Sequence, residues 1–162
     1  MTDPPTGGQP LVIGFDGSDE AMRAIEVAGR LLPGSPAVVV HVGAVVTLAP
    51  PPAGAPTLPP LPSAAPVDDA EVERIAGGVA DAGVDAARAA GLDARPVTSR
   101  GGGASEVAHA IAHVAQEHDA AVIVVGSRGR SAMKAAILGS VSSALLGITS
   151  VPVLVVPPAH ER

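Results

Sequence analysis

The chain has no cysteine, no tryptophan and no tyrosine, and Phe15 is its only aromatic residue. Without cysteine there are no disulfides and no thiolate metal sites. A core must then be aliphatic, and 47% hydrophobic residues among 162 supply enough of it for one domain. No apolar run approaches the ~18–20 residues that a membrane-spanning helix needs. The opening segment MTDPPTGGQP carries neither a basic region nor an apolar stretch, so it does not read as a signal peptide. A cytoplasmic protein is the simplest expectation. Basic residues are also scarce: ten Lys and Arg stand against sixteen Asp and Glu, for a net charge of −6. That balance excludes the broad basic face through which proteins hold nucleic acid. The only close basic group is Arg128, Arg130 and Lys134, and it falls inside a glycine-rich segment. An acidic chain that concentrates positive charge there reads as a binder of a small anion.

What is present is a succession of short, continuous apolar runs separated by helical patterns. Residues 10–16 (PLVIGFD), 37–46 (AVVVHVGAVV), 120–126 (AAVIVVG) and 151–157 (VPVLVVP) read as strands. Residues 92–100 (LDARPVTSR) form a weaker one, whose Pro96 suits a sheet edge. Ser18 is placed as a helix N-cap, followed by Asp19 and Glu20 in the first turn and by Ala21, Ile25, Ala28 and Leu32 at helical spacing. Further helices are expected over 68–90, ended by Gly91, over 105–118, and over about 140–148. Residues 1–9 and 158–162 read as tails around a domain at 10–157. Within it, residues 47–67 hold eight prolines and no charge, a polyproline-like loop.

The order β-α-β-α-β-α-β-α-β, with strands apolar on both faces, predicts a doubly wound α/β fold: a five-stranded parallel sheet between helix layers. In an open sheet of order 3-2-1-4-5, ligands sit beyond the carboxyl ends of strands 1 and 4. Those ends fall at Asp16 and Gly126. After Gly126 the chain reads SRGRSAMKAAILGSVSS, so Gly129 and Gly139 follow, with Ser140 directly behind. Gly126 and Gly129 allow a sharp turn and close approach to a ligand, and such a turn can form an anion-binding concavity of N–H groups. Gly139 and Ser140 stand where the next helix begins, so free N–H groups there attract phosphate. The hydroxyls of Ser140 and Ser142 are expected to add donors. Residues 130–138 bridge the two turns.

The spacing G-x2-G-x9-G-S, filled by Gly126, Gly129, Gly139 and Ser140, resembles the nucleotide-binding pattern of the universal stress protein family. The flanking VIVVGSRGR and SVSSALLGITSVPVLVV match as well, as do VIGFDGSDEAMRAIEVAGRLL, with its aspartate at Asp16, and VVVHV. The long proline loop and RGGGAS, where members often carry a G-x-P-A turn, depart from the family. The resemblance implies an ATP-binding regulatory or stress-response module, commonly a homodimer through the last strand, here 151–157. It implies adenosine near Asp16 and Val42 and phosphates near the glycine motif. Carried over, the site is Gly14, Asp16, Val42, Gly126, Arg128, Gly129, Gly139, Ser140, Val141 and Ser142. ATP, with or without Mg²⁺, is the expected ligand; ADP, AMP and cyclic AMP make the same adenosine contacts. A protein partner that reads the nucleotide state is expected, and its identity is not encoded in any motif.

Other readings stand beside this one. Asp16 reads either as a turn cap or as a ligand contact. Arg130 and Lys134 read either as solvated surface or as anion contacts. His109 and His113, four apart on a helix, lack an evident third metal ligand and the HExxH pattern. His41, inside a strand, reads as a hydrogen-bonded core histidine. The PxxP spacings at Pro56, Pro59 and Pro62 have no basic neighbour, which disfavours an SH3-type ligand. No Walker lysine and no nucleophile elbow are present, and no carboxylate pair joins the glycine motif. An enzymatic role, a slow ATPase or a nucleotidyl or phosphate transfer, therefore rests on the same glycine motif plus Asp16 as a Mg²⁺ contact. A non-nucleotide interaction protein of the same fold is the remaining alternative.

Overall fold

Strand β1 (Leu11–Gly14) is almost wholly buried, so its side chains face two different cores by simple alternation. Leu11, Ile13 and Phe15 enter one core with Ala21, Ala24, Ile25 and Ala28 of helix α1 (Asp19–Leu31) and Val84 and Ala87 of helix α2 (Asp69–Ala89). Val12 enters the other, with Ile111 and Ala115 of helix α3 (Ala104–Glu117) and Leu145 of helix α4 (Ser140–Ile148). Strands β2 (Pro36–Ala44), β3 (Asp93–Gly101), β4 (Val122–Gly126) and β5 (Val153–Val156) complete the sheet. The computed structural model describes residues 8–44, 69–129 and 138–159. The proline loop, Arg130, Lys134 and most of the bridge between the glycine turns lie outside the described residues.

The sheet has five parallel strands in the order β3-β2-β1-β4-β5, as the sequence pattern predicts. Registers Gly14↔Val40 and Ile13↔Val124 align the carboxyl ends of β1, β2 and β4 on one side of the molecule. The strand order reverses between β1 and β4, so the crevice lies beyond these two parallel ends. Fully buried Ile13, Ile25, Ile123 and Leu145 anchor the layers, each contributing ~1.5–3 kcal/mol by leaving water.

Local chemistry sets the element ends. The Ser18 hydroxyl accepts a hydrogen bond from Ala21 N at 3.2 Å and caps α1, with Asp19 and Glu20 in the first turn. Gly91 closes α2 at φ 87, a left-handed conformation that glycine adopts without strain. Pro96 sits in β3, an edge strand, where its missing N–H costs no ladder bond. The strand expected over 120–126 starts at Val122, because Ala120 N still donates to Ala115 O at 2.9 Å and finishes the α3 turn. The strand expected over 10–16 ends at Gly14 and the one over 151–157 covers only Val153–Val156. Among the described residues no helix is long and apolar enough to cross a membrane.

Candidate functional site

The site is built where the chain leaves β1. Phe15 N still donates to Val40 O at 2.8 Å, and Gly17, at φ 80, then turns the chain into α1. Between them, half-buried Asp16 is pinned from one side: its Oδ1 accepts the Ser18 N–H at 3.0 Å and the Ser18 hydroxyl as well. One side chain therefore caps the helix and orients the carboxylate. Asp16 Oδ2 lies on the other side, against the glycine turn. A β-carbon built on Gly129 would stand 2.6 Å from that oxygen.

The other motif glycines obey the same logic of close approach. On Gly126 a β-carbon would meet Glu20 Cβ at 3.0 Å, so the end of β4 packs directly on the first turn of α1. On Gly139 it would meet Ser127 O at 2.9 Å and Arg128 Cα at 3.3 Å. The two glycine turns thus lean on each other, and Gly139 N donates to Ser127 O. Ser127 is the hub of the turn: its N–H donates to Val156 O at 2.8 Å, and its carbonyl also accepts the Ser142 hydroxyl at 3.2 Å. Gly139 caps α4 without a side-chain bond, so among the described residues the first-turn amides of Ser140 and Val141 have no side-chain acceptor. Among the described residues, buried Ser127 Oγ and Arg128 Nε have no hydrogen-bond partner.

Not every expected residue meets the crevice in the expected way. Ser142 is buried, and its hydroxyl is committed to Ser127 O and, at 3.0 Å, to Gly139 O. It ties the turn together rather than offering a free donor, because helical geometry turns position 142 toward the sheet. Ser140, two residues earlier, is exposed. A β-carbon on Gly14 would meet Val125 Cγ1 at 3.0 Å and Ile111 Cδ1 at 3.1 Å, so this glycine admits α3 to the sheet. Val42 packs on the α3–α4 core, with the Gly101 backbone beside it, where a β-carbon would lie 3.1 Å from Val42 Cγ1. The β1–β2 register ends at Gly14↔Val40, two residues short of Asp16 and Val42. Two contributors escape the sequence pattern: Ser127, whose role is its carbonyl, and Ser18, whose bond to Asp16 was masked by its capping signal.

The histidines separate. Nδ1 of His113 pairs with Glu117 at 3.1 Å, and His109 Nδ1 bonds Ser105 O at 2.7 Å. Among the described residues no three His, Asp or Glu are grouped to hold a metal. His41 is buried and bonded to the Phe15 carbonyl. A concavity of about 460 Å³ lies on the outer face of α1, against Asp19, Glu20, Arg23 and Glu26, and not over the glycine turns. Its acidic lining suits an anion poorly; donor chemistry, not volume, locates the site.

The model of the universal stress protein family matches residues 8–157. The chain belongs to the universal stress protein family. Universal stress protein YxiE of Bacillus subtilis is 31% identical over 157 residues, covering 90% of this chain and 97% of the relative. Among solved structures, the universal stress protein from Archaeoglobus fulgidus in complex with dAMP superposes with a TM-score of 0.61 at 24% identity, covering 91% of this chain and 97% of that one. A universal stress protein in complex with cAMP gives 0.62 at 22% identity, over 94% and 98%. At these identities the superpositions establish the shared fold, and the parallel sheet above is that of the family.

Proposed function

We propose that this universal stress protein binds an adenine nucleotide, with ATP as its working ligand, across the ends of β1 and β4. The observation that carries the reading is the set of three motif glycines. Each stands where a β-carbon would strike a neighbour, and together they bring the two glycine turns and the Asp16 carboxylate to one end of the sheet. In this reading Asp16 and Val42 flank the adenosine. Gly126, Arg128, Gly129, Gly139, Ser140 and Val141 hold the phosphates. The residues fit an anionic tail: the first turn of α4 lacks a side-chain cap, and Arg128 Nε is an unpaired buried donor. An acceptor-only carboxylate suits the exocyclic amine of adenine. The cAMP and dAMP complexes of relatives support the same ligand class. Mg²⁺, where it accompanies ATP, would be held largely by phosphate oxygens and water, since one carboxylate is a poor cage.

A protein partner reads the nucleotide-bound state in the cytoplasm. The working unit is a homodimer through the last strand. Supporting this, β5 is an edge strand whose Val153, Leu154 and Val155 are only partly buried, an apolar edge that benefits from cover. Equilibrium titration of the purified protein with ATP, ADP, AMP and cyclic AMP tests the reading. Saturable binding is expected, and no binding at millimolar nucleotide refutes it.

A further inference from the structure

His41 is the one buried histidine among the described residues, at 8% exposure. Its Nδ1 lies 2.8 Å from the carbonyl oxygen of Phe15. A carbonyl only accepts, so Nδ1 holds the proton and donates it. That carbonyl belongs to the peptide group joining Phe15 to Asp16. Its plane is rigid, so fixing the oxygen fixes the direction in which the Asp16 main chain starts. The preceding peptide is fixed too, since Phe15 N donates to Val40 O. The β1–β2 register ends at Gly14↔Val40; past it the Phe15 N–H still bonds the Val40 carbonyl, and the His41 side chain takes the Phe15 carbonyl.

We infer that His41 is a positioning residue for the nucleotide site: its ring ties β2 to the Phe15–Asp16 peptide and aims Asp16. The chain of contacts is short and directional. The ring sets the Phe15–Asp16 peptide, the Ser18 amide and hydroxyl set the carboxylate, and Gly129 lies against the second oxygen. His41 also adjoins Val42 in sequence, so one residue fixes the spacing between the two strand ends that flank the crevice. Nothing in this arrangement needs His41 to touch ligand. The inference rests on the nucleotide reading only in naming what Asp16 meets.

The test uses the full-length protein and three variants. Asparagine keeps an N–H donor at the δ position; glutamine moves it one bond further; leucine removes it. Hydrogen exchange of the Ser18 amide, which donates to Asp16 Oδ1, reads the carboxylate without any nucleotide. Titration with ATP reads the site. For H41L and H41Q the Ser18 amide is expected to exchange at least tenfold faster, and ATP affinity to fall about tenfold, which is ~1.4 kcal/mol. H41N is expected to stay within about threefold of the parent in both, on the scale where tenfold is ~1.4 kcal/mol. A merely structural histidine would lower the melting temperature in all three without singling out the Ser18 amide or sparing H41N. Unchanged Ser18 exchange in H41L and H41Q overturns the inference, whether or not ATP binds. Should H41L fail to fold, H41Q against H41N decides. Absent ATP binding to the parent protein refutes the nucleotide reading instead, so the two failures are distinguishable.

Discussion

Gly139→Ala adds one methyl group where the two glycine turns touch. The backbone there, at φ −75 and ψ 166, suits any L-residue, so no conformational penalty confuses the result. The methyl would stand 2.9 Å from Ser127 O and 3.3 Å from Arg128 Cα. Both neighbours are main chain. The Ser127 peptide cannot retreat freely, because its N–H is bonded to Val156 O and its carbonyl accepts from Gly139 N and from Ser142 Oγ. Overpacking of this kind costs ~1–3 kcal/mol. Against it stands a gain of ~0.4–1 kcal/mol from stiffening the unfolded chain. The net expectation is destabilisation by about 0.5–2 kcal/mol, or a few degrees in melting temperature for a domain of this size. Widening the gap between the turns also separates the α4 amides from the Gly126–Gly129 turn, so ATP affinity is expected to drop at least tenfold, ~1.4 kcal/mol. Urea unfolding and ATP titration on the same preparation measure both. A variant that is stabilised by the full entropic gain, with affinity unchanged, would show that the turns do not press on one another and that the reasoning is wrong.

Three further substitutions probe the surrounding contacts. Gly129→Ala would set a methyl 2.6 Å from Asp16 Oδ2 and push that oxygen aside, so ATP affinity is expected to fall about tenfold (~1.4 kcal/mol) with little loss of stability, checked by titration beside a thermal melt. Ser18→Ala removes the α1 cap and one of the bonds that orient Asp16; a loss of ~0.5–2 kcal/mol in urea unfolding is expected, together with weaker ATP binding. Gly83→Ala places a methyl 2.7 Å from the Phe15 ring and 2.8 Å from Val39 Cγ1. Its gain in helix propensity, ~1 kcal/mol, is outweighed by overpacking of ~1–3 kcal/mol, and denaturant titration should show net destabilisation.

The parallel sheet and both helix layers were legible in the sequence because buried parallel strands leave continuous runs such as VIG and VVV, and because Ser18 and Gly91 punctuate helices by local chemistry; the strand order is not written in those runs. Strand ends were less legible. The end of α3 and the start of β4 are settled by Ala120 bonding back to Ala115, which no local run of residues records. The glycine spacing marked the turns, but it said nothing of why each glycine is needed. That reason lies in Glu20, Asp16 and Ser127, residues brought up by other elements. The same limit explains Ser142: a hydroxyl beside a helix start reads as a donor in sequence, while its position on the helix turns it inward to Ser127 O. His41 was legible as a hydrogen-bonded core residue, but its acceptor, 26 positions away, was not.

Amide NMR during titration with ATP tests the central claim most directly. If main-chain N–H groups of the two glycine turns cradle the nucleotide's phosphates, the largest shifts will fall on the amides of 126–129 and 139–141, with Asp16 and Val42 following. Shifts confined to other surfaces, or none at millimolar ATP, would contradict it.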